Sequence, residues 1–125
     1  MQHSLNMHKG FLKLKVGSTA QGVLIYVKDT IAFVRRHDLE VNNTECIWVE
    51  LKLCRNKNVL FAVFYRPPNS DMNYQTQIET SFGLATDTGI NDIIITGDFN
   101  LNVLTDVSKR KVDSLCQQNY IAMYN

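Results

Sequence analysis

Apolar and polar positions change rhythm several times along the chain, and each change marks an element. Gly22-Val23-Leu24-Ile25-Tyr26-Val27 is a continuous β-rich run, broken by the turn formers Lys28-Asp29-Thr30. Residues 31–36 predict a second short strand, with a turn at His37-Asp38. Residues 46–53 alternate cleanly: Ile47, Val49, Leu51 and Leu53 share one face, and Trp48, Glu50 and Lys52 the other. A period of two predicts a strand with unlike faces. After the polar turn Arg55-Asn56-Lys57-Asn58, residues 59–65 are apolar on both sides, which predicts a central strand covered on both faces.

Pro67 and Pro68 end that strand, because proline brings no N–H to a ladder. Ser70 or Asp71 can then cap a helix over residues 72–85, with Tyr74, Ile78, Phe82 and Ala85 in one stripe. Ile93-Ile94-Ile95-Thr96 predicts another buried strand, with Gly97-Asp98-Phe99-Asn100 at its C-terminal end. A last helix is predicted over residues 108–118, with Val112, Leu115 and Cys116 inward. Residues 1–20 are polar and read as a poorly ordered lead-in, with a short strand at Phe11–Val16; residues 21–125 form the domain. The order β-β-β-β-α-β-α points to an α+β or layered α/β sandwich rather than a doubly wound sheet. Neither GxGxxG nor GxxxxGK[ST] occurs, which removes the main support for a nucleotide-binding fold.

Composition adjusts this picture modestly. The 125 residues are 45% hydrophobic and 20% charged, as in one ordinary globular domain. Thirteen basic residues against twelve acidic give a net charge of +1, so no basic excess coats the domain for nucleic acid. Any such contact must come from local clusters: Lys9, Lys13 and Lys15; Arg35 and Arg36; Lys109, Arg110 and Lys111. Each cluster reads equally as a solvated face. Cys46, Cys54 and Cys116 show no metal-ligand spacing, and the odd count suits a reducing compartment, with the thiols buried as small apolar groups. The apolar runs fall far short of the ~20 residues that span a bilayer, and residues 1–15 show no leader-like apolar stretch. An intracellular location, nuclear or cytoplasmic and not secreted, is the expectation.

Two loops carry the candidate chemistry: Tyr65-Arg66-Pro67-Pro68-Asn69-Ser70 and Thr96-Gly97-Asp98-Phe99-Asn100-Leu101-Asn102. Both follow buried strands, whose rigid ends fix side chains well. Asp98 emerges from an apolar run, and Asn100 points to the same side if extended geometry persists. An acid and an amide so aligned can orient a water and hold a phosphate oxygen or a hard cation, and Tyr65 can add a phenolic hydrogen bond. Gly97-Asp98-Phe99-Asn100 also reads as an ordinary turn.

These loops, with Ile94-Ile95 before the second, together with Gly22-Val23-Leu24-Ile25-Tyr26-Val27 and Glu45-Cys46-Ile47-Trp48-Val49-Glu50-Leu51, resemble the endonuclease/exonuclease/phosphatase superfamily, most closely the endonuclease domains of non-LTR retrotransposons. The resemblance runs over residues 22–120. It implies a four-layer α/β/β/α sandwich of the DNase I-like type, present here in part. It also implies Mg²⁺-assisted hydrolysis of a phosphodiester in DNA. Asp98 matches the aspartate that orients or deprotonates the nucleophile, Asn100 the asparagine on the scissile phosphate, and Tyr65 the tyrosine that stabilises that phosphate. Arg66, Asn69 and Asn102 are the substrate-binding candidates. Asp98 and Asn100 are partial metal ligands at most.

Two departures matter. The family's metal-binding glutamate lies on an early strand, yet the first twenty residues contain no glutamate, and Glu45 and Glu50 belong to a different strand. No histidine follows His37, so the family's closing Ser-Asp-His motif has no counterpart. Truncation at both ends, weak or absent Mg²⁺ binding and an inactive isolated chain are therefore expected. The alternative is a non-enzymatic remnant or interaction module. The implied partners are DNA, the missing halves of the domain, or a reverse transcriptase in a longer product; no membrane is implied. His3, His8 and His37 are poor candidates for a base, and Trp48 is expected in the core.

Overall fold

The computed structural model describes residues 3–8, 10–16, 22–99 and 121–124. A first sheet contains β1 (His3–His8), β2 (Phe11–Val16) and β3 (Val23–Lys28), antiparallel in the order β1-β2-β3. A second sheet has the order β4-β5-β6-β7-β8: Ala32–Arg35, Glu45–Leu53, Lys57–Tyr65, Asp92–Asp98 and Ile121–Tyr124. The first three are antiparallel neighbours, and β6, β7 and β8 run parallel. Helix α1, Met72–Thr86, makes the crossover between β6 and β7. The described architecture is mixed α/β, layered as sheet, sheet, helix.

The short strand expected at Phe11–Val16 is β2, and β1 lies beside it within residues that read from sequence as a lead-in. β1 and β2 pair throughout, and the alternation Leu12-Lys13-Leu14-Lys15-Val16 puts Leu14 and Val16 into the core, each 3% exposed. The weak signal came from Lys13 and Lys15, two of the three outward positions, which lower the average hydropathy of a strand that is half buried. The hairpin between β5 and β6 is also tighter than predicted. Its tip is Cys54–Asn56, with Arg55 and Asn56 at positive φ. The tip leaves Cys54 exposed, which corrects the reading of it as a buried apolar group, whereas Cys46 is buried. The predicted helix over residues 108–118, together with Cys116, lies outside the described residues.

The alternation in β5 sorts two cores. Ile47 and Val49 face the first sheet, joining Leu14, Val16, Val23, Ile25 and Val27. Cys46 and Trp48 face α1, joining Leu60, Ala62, Phe64, Ile78, Phe82, Ala85, Ile93, Ile95 and Phe99. Trp48 is therefore a helix-facing core residue, as expected. Its indole Nε1–H donates to Ser81 Oγ at 2.8 Å, and that hydroxyl donates to the Leu39 carbonyl at 2.6 Å. A buried indole needs such a partner, and here one serine satisfies both groups. Phe64 meets Trp48 and Phe82 edge to face, with centroids 5.9 and 5.4 Å apart. Asp71 caps α1, accepting from the Tyr74 N–H at 3.0 Å.

Among the described arginines, Arg35 and Arg36 serve the fold. Arg35 forms a buried pair with Glu40 at 2.9 Å, and Glu40 also accepts from the Trp48 N–H. Arg36 bridges Asp38 and Glu50 at 2.8 and 2.7 Å. The hydrogen bond to Asp38 is the main reason its pKa is raised, and it holds the Asp38 carboxyl below its ordinary value in turn. His37 is half exposed beside this network.

Candidate active site

β6 and β7 end together, and their register decides which polar groups meet. Tyr65 pairs with Asp98, and on the other side Tyr65 pairs with Glu45. Register partners project to the same face of a sheet, so Glu45, Tyr65 and Asp98 form one row across three strand ends. That face is the one turned toward the first sheet, because Ile47, Val49, Phe61 and Val63 share its parity. The ladder continues one step beyond the strands: the Arg66 N–H donates to the Asp98 carbonyl at 2.8 Å.

The local sequence explains why Asp98 stands where it does. Gly97 has φ +144°, and a Cβ built there would lie 1.9 Å from the Phe64 carbonyl oxygen. No side chain fits so close to a neighbouring backbone. Phe99, 3% exposed, is buried beside Phe64 and Phe82 with centroids 5.8 and 6.5 Å away. Between a backbone pressed on β6 and a ring locked in the core, Asp98 is exposed. The Gly-Asp-Phe sequence thus works as a pedestal: contact, projection, anchor. A plain surface turn needs neither the close approach nor the buried ring.

Tyr74 ties the helix to this tip. Its hydroxyl donates to the Tyr65 carbonyl at 2.9 Å and accepts from the Glu45 N–H at 3.0 Å. Burial pushes its phenol pKa up. The helical stripe marks Tyr74 as a core residue, but its hydroxyl bridging two strand ends has no sequence signature. Glu45 is the other residue missed: the sequence places it on another strand, and pairing with Tyr65 brings it into the row. Its Oε2 is buried and accepts no hydrogen bond among the described residues. Such a carboxylate oxygen is costly unless something approaches it.

The remaining predicted site residues are placed as follows. Asn69 is exposed at φ +64° in the loop after β6. Arg66 is 4% exposed and its Nη2 donates to the Ser70 carbonyl at 3.2 Å, so it braces that loop. Asn100 and Asn102 lie outside the described residues. Two carboxylates and a phenol are hard oxygen donors of the kind Mg²⁺ accepts, but Mg²⁺ demands near-octahedral coordination. Among the described residues no three His, Cys, Asp or Glu side chains converge on a point. The described set therefore does not fit a complete metal site.

No described helix is long and apolar enough to cross a membrane. Residues 3–115 match the model of the endonuclease/exonuclease/phosphatase family, a span that takes in β1 and β2. No curated protein and no solved structure matches the chain.

Proposed function

The chain belongs to the endonuclease/exonuclease/phosphatase family, and from that premise we propose that its site handles the phosphodiester of DNA, as a nicking domain of the non-LTR retrotransposon kind. The observation that carries this reading is the register pairing of Tyr65 with Asp98 at the shared tip of β6 and β7. In this scheme the Asp98 carboxylate orients a water and accepts its proton as the oxygen attacks phosphorus; one ester P–O bond of the phosphodiester breaks, and the departing alkoxide takes a proton from water. The Tyr65 hydroxyl donates to a non-bridging phosphate oxygen, and the family resemblance gives the Asn100 amide the same role. A positioned base of this kind contributes roughly 10²–10⁴-fold to rate.

Within the family a Mg²⁺ ion supplies charge stabilisation at the phosphate. In this chain Asp98 and Asn100 are the residues to hold it. Two such ligands bind it weakly, and no step is assigned to it. Turnover by this chain alone is expected to fall below detection in a supercoiled-plasmid nicking assay with Mg²⁺. Nicking abolished by Asp98→Ala would show an active enzyme at this same site, whereas nicking that survives the substitution would remove Asp98 from the chemistry. Binding is the positive readout. Tyr65→Phe is expected to weaken affinity for a short DNA duplex roughly tenfold, the worth of one hydrogen bond to a charged group. Unchanged affinity would take Tyr65 out of the phosphate site.

A further inference from the structure

One peptide plane at the strand tip is held from two sides. It joins Tyr65 to Arg66, and both of its polar atoms are engaged. The Tyr65 carbonyl accepts from the Tyr74 hydroxyl at 2.9 Å, and the Arg66 N–H donates to the Asp98 carbonyl at 2.8 Å. Beyond this plane the chain is stiff, because Arg66 precedes Pro67-Pro68 and a residue before proline is confined to extended backbone. The Tyr65–Arg66 peptide is therefore where the end of β6 has freedom to turn. A side chain at a site keeps its aim only when the groups behind it are locked.

The Tyr74 hydroxyl reaches this plane from the opposite layer. Tyr74 packs on the helix-facing core, whereas Tyr65 packs on the core between the sheets. Asp71 fixes Tyr74 from behind by capping its N–H at 3.0 Å. The hydroxyl also accepts from the Glu45 N–H at 3.0 Å, so its one proton goes to Tyr65 and a lone pair to Glu45, the residue that opposes Tyr65 in the ladder. A phenylalanine ring would fill the same place in the helical stripe and reach neither strand. We propose that Tyr74 is a positioning residue for the phosphate contact: its hydroxyl and the Asp98 backbone clamp the Tyr65–Arg66 peptide between them and so aim the Tyr65 phenol. This role rests on the phosphodiester reading above and adds to it a residue that acts only through Tyr65.

Tyr74→Phe keeps the ring and removes half of the clamp. In NMR spectra of the full chain with isotope-labelled tyrosine rings and amides, the Tyr65 ring and the Glu45 and Arg66 amides are expected to shift. The Arg66 amide should also exchange with solvent roughly fivefold faster. The Tyr26 ring, on the first sheet, should stay in place as the control. Affinity for a short DNA duplex should fall roughly three- to tenfold in Tyr74→Phe. The same substitution made in Tyr65→Phe should cost nothing further, a non-additivity that a merely structural hydroxyl would not produce. Three results overturn the proposal: Tyr65 ring and Arg66 amide resonances unmoved by Tyr74→Phe, affinity unchanged in Tyr74→Phe while Tyr65→Phe weakens it, or a loss repeated in full in the Tyr65→Phe background. The phosphate reading fails separately. Tyr65→Phe binding as tightly as the parent, with the Tyr65 ring still shifted by Tyr74→Phe, removes the phosphate contact and leaves the clamp.

Discussion

The two faces of the second sheet are packed in different ways. Against α1 the sheet presents Trp48, Phe64 and Phe99, interlocked with Phe82 and tied by the Trp48–Ser81 hydrogen bond. Against the first sheet it presents Ile47 and Val49 with no interlocked rings among the described residues, and several contributors there, Phe33, Leu51, Phe61 and Val63, are half buried. An open recess of about 200 Å³, lined by Ile25, Val27, Val49, Leu51 and Phe61 among others, remains between the sheets. The candidate site belongs to this second, looser face, yet the tight face positions it: Phe99 and Gly97 fix Asp98 from behind. Stability and the proposed chemistry thus fall to alternate residues of the same strands. Substituting one parity should cost folding, and substituting the other should cost function.

Gly97→Ala should be the most damaging change. The added Cβ collides with the Phe64 carbonyl, so β7 must leave β6 or shift along it. A loss of about 4 kcal/mol or more is expected, read by urea denaturation or by failure to give a cooperative melt. Near-normal stability would show that the close approach does not hold Asp98 in place. Trp48→Ala should follow at roughly 3–5 kcal/mol. Ser81→Ala, which strands both the indole N–H and the Leu39 carbonyl, should cost roughly 1–3 kcal/mol.

Cys46 sharpens the comparison through pH. Burial pushes its thiol up to about 11 from an ordinary 9.0. The folded chain then holds a proton that the unfolded chain gives up, so stability is fully present below pH 9 and declines as pH rises toward 11. The decline amounts to about 2–3 kcal/mol by linkage, and Cys46→Ala should remove that part of it. Exposed Cys54 should react with a thiol reagent at once, and Cys46 upon unfolding. The smallest stability effects belong to the row itself. Tyr65→Phe and Asp98→Asn should each stay within about 0.5 kcal/mol of the parent. A larger loss would mean that the row is structural and would dissolve the contrast between the faces.

Much of this was legible in the chain. The alternation over residues 46–53, the two-sided apolar run at residues 59–65, the proline stop and the Tyr74–Ala85 stripe each correspond to an observed element. So does the emergence of Asp98 at a strand end. Local pattern carries these because each depends on neighbours two to four positions away. What was not legible depends on register between distant segments. Glu45 reaches Tyr65 across a hairpin, and Tyr74 bridges two strand ends by its hydroxyl. β2 pairs with β3 despite lysines at alternate positions. Gly97 is required by the carbonyl of Phe64, thirty-three positions earlier, and nothing adjacent to it in sequence says so.

The central claim is that the row Glu45–Tyr65–Asp98 is the place where a phosphodiester is met. Backbone amide shifts of the labelled chain, followed as a short DNA duplex is titrated in with Mg²⁺ present, test it most directly. The largest changes are expected at Glu45, Tyr65, Arg66 and residues 97–99, and they should shrink in Tyr65→Phe. Changes confined to other surfaces, with these amides silent at saturation, would contradict it.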